Sequence, residues 1–284
     1  MKNIIEIMKY RTSKRAIKAL TFSMLLVATT LLVNSCETDE TQTVTTLNNL
    51  VMADEFDVEG TPNPAMWGFD IGTGVNGWGN QELQYYTNRP ENVRVENGFL
   101  LITAIEESFE GSSYTSGRIL TKGLFETQYG RFEARMRLPY GKGFWPAFWL
   151  LGANIDEVGW PQCGEIDVME NAGARPTIVS SAVHGPGYNA GLAITKEYDF
   201  EDARIDNEFH VYGIEWSPNQ INFYVDDDLY HTITPADVTG EWVFNNGEFF
   251  ILINLAVGGV FDGPPNDETV FPQTMVVDYV RVYQ

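Results

Sequence analysis

Apolar and polar residues alternate along most of this chain in short bursts. Gly130–Leu138 places Phe132, Ala134, Met136 and Leu138 on one face and charged residues on the other. That is the period-two pattern of a half-buried strand. Phe99–Ala104 is an apolar run after an Asn97-Gly98 turn, and Phe209–Trp216, Ser217–Gln220 and Ile221–Val225 read as strand, turn and strand. Further strands are predicted over Leu229–Ile233 and Met275–Tyr283, with Asp226-Asp227-Asp228 as a solvated turn before the first of them. No segment of a dozen residues keeps a helical period. Many short strands at regular spacing predict an all-β sandwich or barrel.

This texture is uniform over residues 49–284, which we take as one domain. Residues 36–48 are polar and almost free of core residues, the composition of a flexible tether. Residues 1–35 carry six basic residues and one acid, Glu6, and then an apolar run, Ala19–Val33. Its 15 residues are short for a membrane span, which needs about 20, and suit a signal peptide. The ending Leu-Val-Asn-Ser-Cys36 resembles a bacterial lipoprotein signal, which implies a lipid on Cys36 and a membrane-tethered, exported protein, at the bacterial outer membrane or cell surface. A plain signal peptide cleaved nearby also gives export.

The formal net charge is −21, and −26 once residues 1–35 are removed. This excludes nucleic acid as a partner, because phosphate binding needs a basic face. It also disfavours polyanionic glycans, whereas a neutral substrate meets no such conflict. The cysteines are Cys36 and Cys163, so lipidation of Cys36 leaves no intrachain disulfide. Cys163 is expected to be a packed thiol, and the chain to act as a monomer.

The candidate chemistry lies in Glu165-Ile-Asp167-Val-Met-Glu170. Carboxylates this close repel one another and resist burial, so a purely structural strand would not collect them. In a strand Glu165 and Asp167 share a face, while Ile166 and Val168 point to the core. Glu170 is out of phase with that face. One extra residue at Val168-Met169, a β-bulge, restores the phase, and bulges are enriched beside active sites. The glutamates would then stand four strand steps apart, roughly 13 Å between Cα atoms. With both side chains leaning inward, the carboxyls would come to about 5 Å. That is the separation of a retaining glycosidase, in which one carboxylate attacks the anomeric carbon and the other works as acid and then base. Asp167 would tune which neighbour is charged. A metal site of three acids is the competing reading.

Aromatic residues surround this segment. In Gly143–Leu150, alternation puts Trp145, Ala147 and Trp149 on one face and Phe144, Phe148 and Leu150 on the other. Two tryptophans around an alanine make either a stacking platform for sugar rings or part of a core. Trp160 is a third candidate. His184 and Asn254 stand in otherwise apolar strands, either satisfied in the core or facing a ligand.

These residues resemble glycoside hydrolase family 16, and in particular its bacterial laminarinases (endo-β-1,3-glucanases). The resemblance rests on Glu165-Ile-Asp167-Val-Met-Glu170, Trp78–Thr87, Trp145-Pro-Ala-Phe-Trp149 and His184-Gly-Pro-Gly-Tyr188, and covers nearly the whole domain. It implies a β-jelly-roll sandwich of two curved antiparallel sheets with a concave substrate cleft. It implies Glu165 as nucleophile and Glu170 as acid/base, with Asn80, Arg118, Trp145, Trp149, Trp160, His184 and Asn254 along the cleft. It implies no catalytic cofactor, and a possible structural calcium at Glu55, the Gly98 carbonyl and Asp278. The expected substrate is a neutral β-1,3-glucan. Mixed-linkage β-1,3-1,4-glucan, agarose, and a non-catalytic glycan-binding role stay open as alternatives.

Overall fold

The structure, a computed structural model, describes residues 47–201 and 203–284. Lipidation at Cys36, the signal segment and nearly all of the tether lie outside the described residues.

The patterned segments form strands as expected: Phe99–Phe109, Gly130–Arg137, His210–Ser217, Gln220–Val225, Asp228–Ile233 and Gln273–Tyr283. The aspartate run is a turn. Asp226 takes a left-handed φ of 53° and accepts hydrogen bonds from the Val211 N–H and the His210 ring. Helix is confined, among the described residues, to turns of three to five residues, and none is long and apolar enough to cross a membrane.

The strands form two sheets. The ten-stranded sheet has a main path through Asp228–Ile233, Gln220–Val225, His210–Ser217, Gly130–Arg137, Gln273–Tyr283, Phe99–Phe109, Ser112–Ser116 and Gln84–Tyr86. Leu50–Asp54 and Val93–Glu96 add to it from the side. The seven-stranded sheet runs Ile194–Asp199, Ile178–His184, Glu165–Glu170, Phe144–Gly152, Phe249–Val257, Arg118–Leu120 and Gly68–Phe69. Pairings are antiparallel except between Gln84–Tyr86 and Ser112–Ser116. This is the jelly-roll sandwich expected from the sequence.

The core lies between the sheets and follows from the alternation. Phe132, Ala134, Met136, Val277 and Val280 come from the larger sheet. Phe144, Phe148, Leu150, Ile166, Ile251, Ile253 and Leu255 come from the smaller one. Phe249–Val257, in the interior of the smaller sheet, is buried along its whole length. Its neighbour Phe144–Gly152, and Glu165–Glu170 on the far side of that strand, therefore rest on a fixed apolar support. That support makes their outward residues available for chemistry.

Candidate active site

The bulge is where the phase argument places it. Asp167 pairs with Trp149 and Met169 with Phe148, so Val168 is the extra residue. The other neighbouring strand sees the same slip between Asp167 and Glu170. Val168 and Met169 both join the core, and Glu170 returns to the face of Glu165 and Asp167. The regular partner strand measures the result: Glu165 lies opposite Leu151 and Glu170 opposite Ala147, four residues apart.

Cross-strand register assembles the rest of the site. Glu170, Ala147, Asn254 and Arg118 form one row across four strands. Glu165 lies beside His184 in another. Trp145 and Trp149 flank Ala147 on this outward face and stay half-buried, whereas Phe144, Phe148 and Leu150 enter the core. The indoles are also hydrogen-bond donors. Trp145 Nε1–H donates to Glu170 Oε1 (2.9 Å), Trp160 Nε1–H to Glu165 Oε2 (2.9 Å) and Trp149 Nε1–H to Asn254 Oδ1 (2.8 Å). Trp160 is 44% exposed and tilts against the His184 ring, so it is a wall of the site and not core.

The electrostatics separate the carboxyls. Burial, then repulsion from Asp167, pushes Glu165 up to about 8. Burial pushes Asp167 to about 8, against a hydrogen bond with Glu165. Burial, with repulsion from Asp167 and Glu165, holds Glu170 well above the usual carboxylate range. Three acids so placed cannot all ionise near neutral pH. Glu165 accepts the Trp160 N–H and has the His184 ring nitrogen 3.7 Å away, and Glu170 accepts the Trp145 N–H. The charge is thus best supported on Glu165, and the proton best kept on Glu170.

His184 bears on the metal alternative. Its Nε2 lies 3.0 Å from Asp167 Oδ2 and 3.7 Å from Glu165 Oε1, and these ligand atoms cluster within 4.8 Å. Its Nδ1, however, accepts the Ala190 N–H at 3.1 Å. In the neutral ring the proton is therefore on Nε2 and faces the carboxylates. A metal ligand would need a bare lone pair there. The protonated edge of the neutral His184 ring thus faces the acids, an arrangement that suits proton chemistry better than metal ligation.

Asn80 and Arg118 have narrower places. Asn80 lies on the turn Gly77–Gln81, its side chain 3.4 Å from Glu82. Arg118 is largely buried and pairs with Asp70 (2.8 Å). Its guanidinium lies over both the Trp78 and Trp149 rings, at 4.8 and 4.9 Å. It packs against one face of the Trp149 indole.

Sequence reasoning missed Trp78, Glu82 and Phe261. Glu82 accepts hydrogen bonds from Gln84 and Tyr86, so it ties the Gly77–Gln81 turn to the sheet. Phe261, on the short helix Gly259–Asp262, stacks on Trp145 with ring centroids 5.0 Å apart. Trp78 and Glu82 stand within the quoted Trp78–Thr87 motif. The available signal for Phe261 was an aromatic residue between the Gly258-Gly259 pair and Gly263. Cys163 is a buried thiol, pushed to about 11 by burial and by Glu165.

At the positions expected for calcium, Glu55 is paired through both oxygens with Arg281, and Asp278 through Oδ2 with Arg135.

Comparison with known proteins agrees with this geometry. The family model described as glycosyl hydrolases family 16 matches residues 80–280. A β-glucanase of Rhodothermus marinus is 44% identical, over 83% of this chain and 85% of its own length. The laminarinase catalytic domain of Thermotoga maritima superposes with a TM-score of 0.78 at 46% identity, covering 83% of this chain and 98% of that one. The endo-β-1,3-glucanase of Pyrococcus furiosus gives 0.79 at 45% identity, covering 83% and 94%. With its bulged carboxylate strand inside the matched segment, the chain belongs to glycoside hydrolase family 16.

Proposed function

We propose that this protein is a retaining endo-β-1,3-glucanase that hydrolyses neutral β-glucan by double displacement. The observation that carries it is the bulge at Val168-Met169, which returns Glu165 and Glu170 to one face, four residues apart by the partner strand. Glutamates so spaced close to the roughly 5–5.5 Å that a retaining mechanism needs. The names of the relatives, β-glucanase, laminarinase and endo-β-1,3-glucanase, support the substrate class.

Each step follows from the site. A glucan lies along the Trp145, Trp149 and Trp160 rings, whose apolar faces suit the axial C–H bonds of pyranoses. The Glu165 carboxylate attacks the anomeric carbon while Glu170 gives its proton to the departing glycosidic oxygen. The C–O bond breaks and a glycosyl-Glu165 ester forms. Glu170, now ionised, takes a proton from water, which displaces Glu165 and regenerates both groups. Asp167, hydrogen-bonded to Glu165, and the His184 Nε2–H absorb the change in charge between steps.

Reducing-sugar release on laminarin, curdlan, lichenan and agarose in parallel tests the assignment, with laminarin expected to lead. Release from none of them would replace it with the glycan-binding alternative. Proton NMR of the first product is expected to show the β-anomer, and an initial α-anomer would overturn retention.

Three finer readings join this proposal. The basic and apolar leader ending at Cys36 supports export and lipid anchoring at the bacterial surface, testable by labelled-palmitate incorporation that Cys36→Ser abolishes. Calcium at Glu55, Gly98 and Asp278 has suitable oxygen chemistry but would share both carboxylates with guanidiniums. It is expected to bind weakly, raising Tm by about 1–2 °C at millimolar calcium. The chain is expected to act as a monomer, which sedimentation can check.

A further inference from the structure

The turn Gly258–Gly263 lies against Trp145, and its construction is unusually constrained. Gly258, Gly259 and Gly263 have φ values of 78°, 83° and 75°, which disfavour any other residue. A Cβ on Gly258 would come within 2.6 Å of the Leu83 side chain. A Cβ on Gly259 would lie 3.2 Å from Trp145 Cε3 and Cζ3, so the backbone lies flush on the indole. The turn is tied down at both ends. The Gly258 N–H donates to the Gly143 carbonyl (2.7 Å), and buried Asp262 accepts the Gly143 N–H (2.6 Å) and pairs with Lys142 (3.3 Å). Phe261 completes it by stacking on Trp145 at an interplanar angle of 25°. Phe261 is nevertheless 40% exposed, so burial alone does not explain an aromatic residue here.

Trp145 is the indole whose Nε1–H reaches Glu170 Oε1. We propose that Phe261 is a positioning residue: it clamps the Trp145 indole in the plane from which its N–H holds the Glu170 carboxyl. This rests on the assignment of Glu170 as acid/base. The clamp matters because an indole free to rock about its side-chain torsions loses a directional hydrogen bond while keeping most of its apolar contact. Other groups face Glu170 as well: Asp167 and Glu165 from its own strand, His184 from the adjacent strand and the Tyr230 hydroxyl from Asp228–Ile233. The Trp145 N–H is the one donor among them that Phe261 touches.

The sign of the effect is defined. The indole N–H favours ionised Glu170, so loosening it keeps the proton on Glu170 to higher pH and makes it a poorer acid. Phe261→Ala is expected to lower kcat on laminarin about tenfold with a much smaller change in KM, the loss from weakening one hydrogen bond to a charged group. The alkaline limb of the kcat profile should move up by about half a pH unit. Phe261→Tyr should restore both. In a Trp145→Phe background, which has no indole N–H, Phe261→Ala should change kcat less than about twofold. A full tenfold loss in that background would overturn the proposal, because Phe261 would then act on its own. So would an unmoved alkaline limb in the single variant.

A readout independent of turnover separates this from the assignment itself. The Trp145 indole ¹⁵N–H resonance, identified by its absence in Trp145→Phe, should titrate with Glu170. In Phe261→Ala it should lose that titration. If the wild-type enzyme hydrolyses no glucan, the hydrolase reading fails while the resonance still reports the clamp. If the resonance titrates identically in both proteins, the clamp fails while the hydrolase reading stands.

Discussion

Two strands of this sandwich carry charge on one face and core on the other, yet treat that charge in opposite ways. On the larger sheet, Gly130–Arg137 presents Arg131, Glu133, Arg135 and Arg137 outward. The acids around it have arginines: Glu133 takes Arg131, Asp278 takes Arg135, and Glu55 takes Arg281. The Arg281 guanidinium holds Glu55 below the usual carboxylate range. On the smaller sheet, Glu165, Asp167 and Glu170 meet indole N–H groups and one histidine, and all are pushed up. The first arrangement settles charge for solubility and modest stability. The second leaves it unsettled, so that a proton can be held and released during reaction. Indole donors orient a carboxyl without cancelling its charge, which an arginine would do.

The sharpest way to break this comparison is to neutralise the nucleophile. Glu165→Gln should lower glucan hydrolysis by at least about a thousandfold, measured as kcat on laminarin. It should also raise thermal stability, because one source of buried repulsion is gone. Each kcal/mol regained moves Tm by about 2–4 °C for a domain of this size. A variant that hydrolyses at the wild-type rate would remove Glu165 from the mechanism.

Asp167→Asn is expected to cost about a hundredfold in kcat and to raise Tm as well. Here the pH dependence is informative. The folded pKa values of Glu165 and Asp167 are raised to about 8 from the ordinary carboxylate range. Groups raised in this way contribute stability that is fully present below the unfolded values and is lost as pH rises through about 8. Wild-type Tm should therefore fall between pH 5 and 9, flanking these values, and the fall should be shallower in Asp167→Asn. A parallel slope in the two proteins would show that the trio does not hold its protons. Solvent reaching the cleft makes the slope smaller than full burial would give.

Removing one indole donor is a milder change. Trp160→Phe keeps a ring but loses the hydrogen bond to Glu165 Oε2. It should cost about tenfold in kcat and shift the acid limb upward, since ionised Glu165 loses a donor. The smallest effect is expected on the opposite sheet. Arg281→Ala breaks the bidentate pair with Glu55, yet exposed pairs contribute about 0–1 kcal/mol. Unchanged kcat and a Tm drop of no more than about 4 °C are expected. A large activity loss there would mean that the two sheets are not electrically separate.

Much of the site was legible in the chain because strand periodicity is strict. Glu165 and Asp167 share a face by a spacing of two, and Glu170 by a spacing of five can join them only through a bulge. The Trp145 and Trp149 alternation could be read in the same way, although sequence left open whether that face was core or cleft. Residues supplied by other strands were less legible. His184 and Asn254 were marked as polar exceptions in apolar strands, and register alone brings them beside Glu165 and Ala147. Phe261 gave almost no signal, since it lies 91 residues beyond Glu170 and acts through a ring contact.

The sequence by itself determined the all-β class, the carboxylate trio, the bulge and the division of each strand into two faces. These follow from local periodicity and from the cost of burying like charges together. The tertiary structure alone decided the His184 tautomer, the indole donor that each glutamate receives, the packing of Arg118 against Trp149, and the clamp of Phe261 on Trp145. Each of these depends on groups far apart in sequence meeting at hydrogen-bond or stacking distance, and no local pattern encodes that meeting.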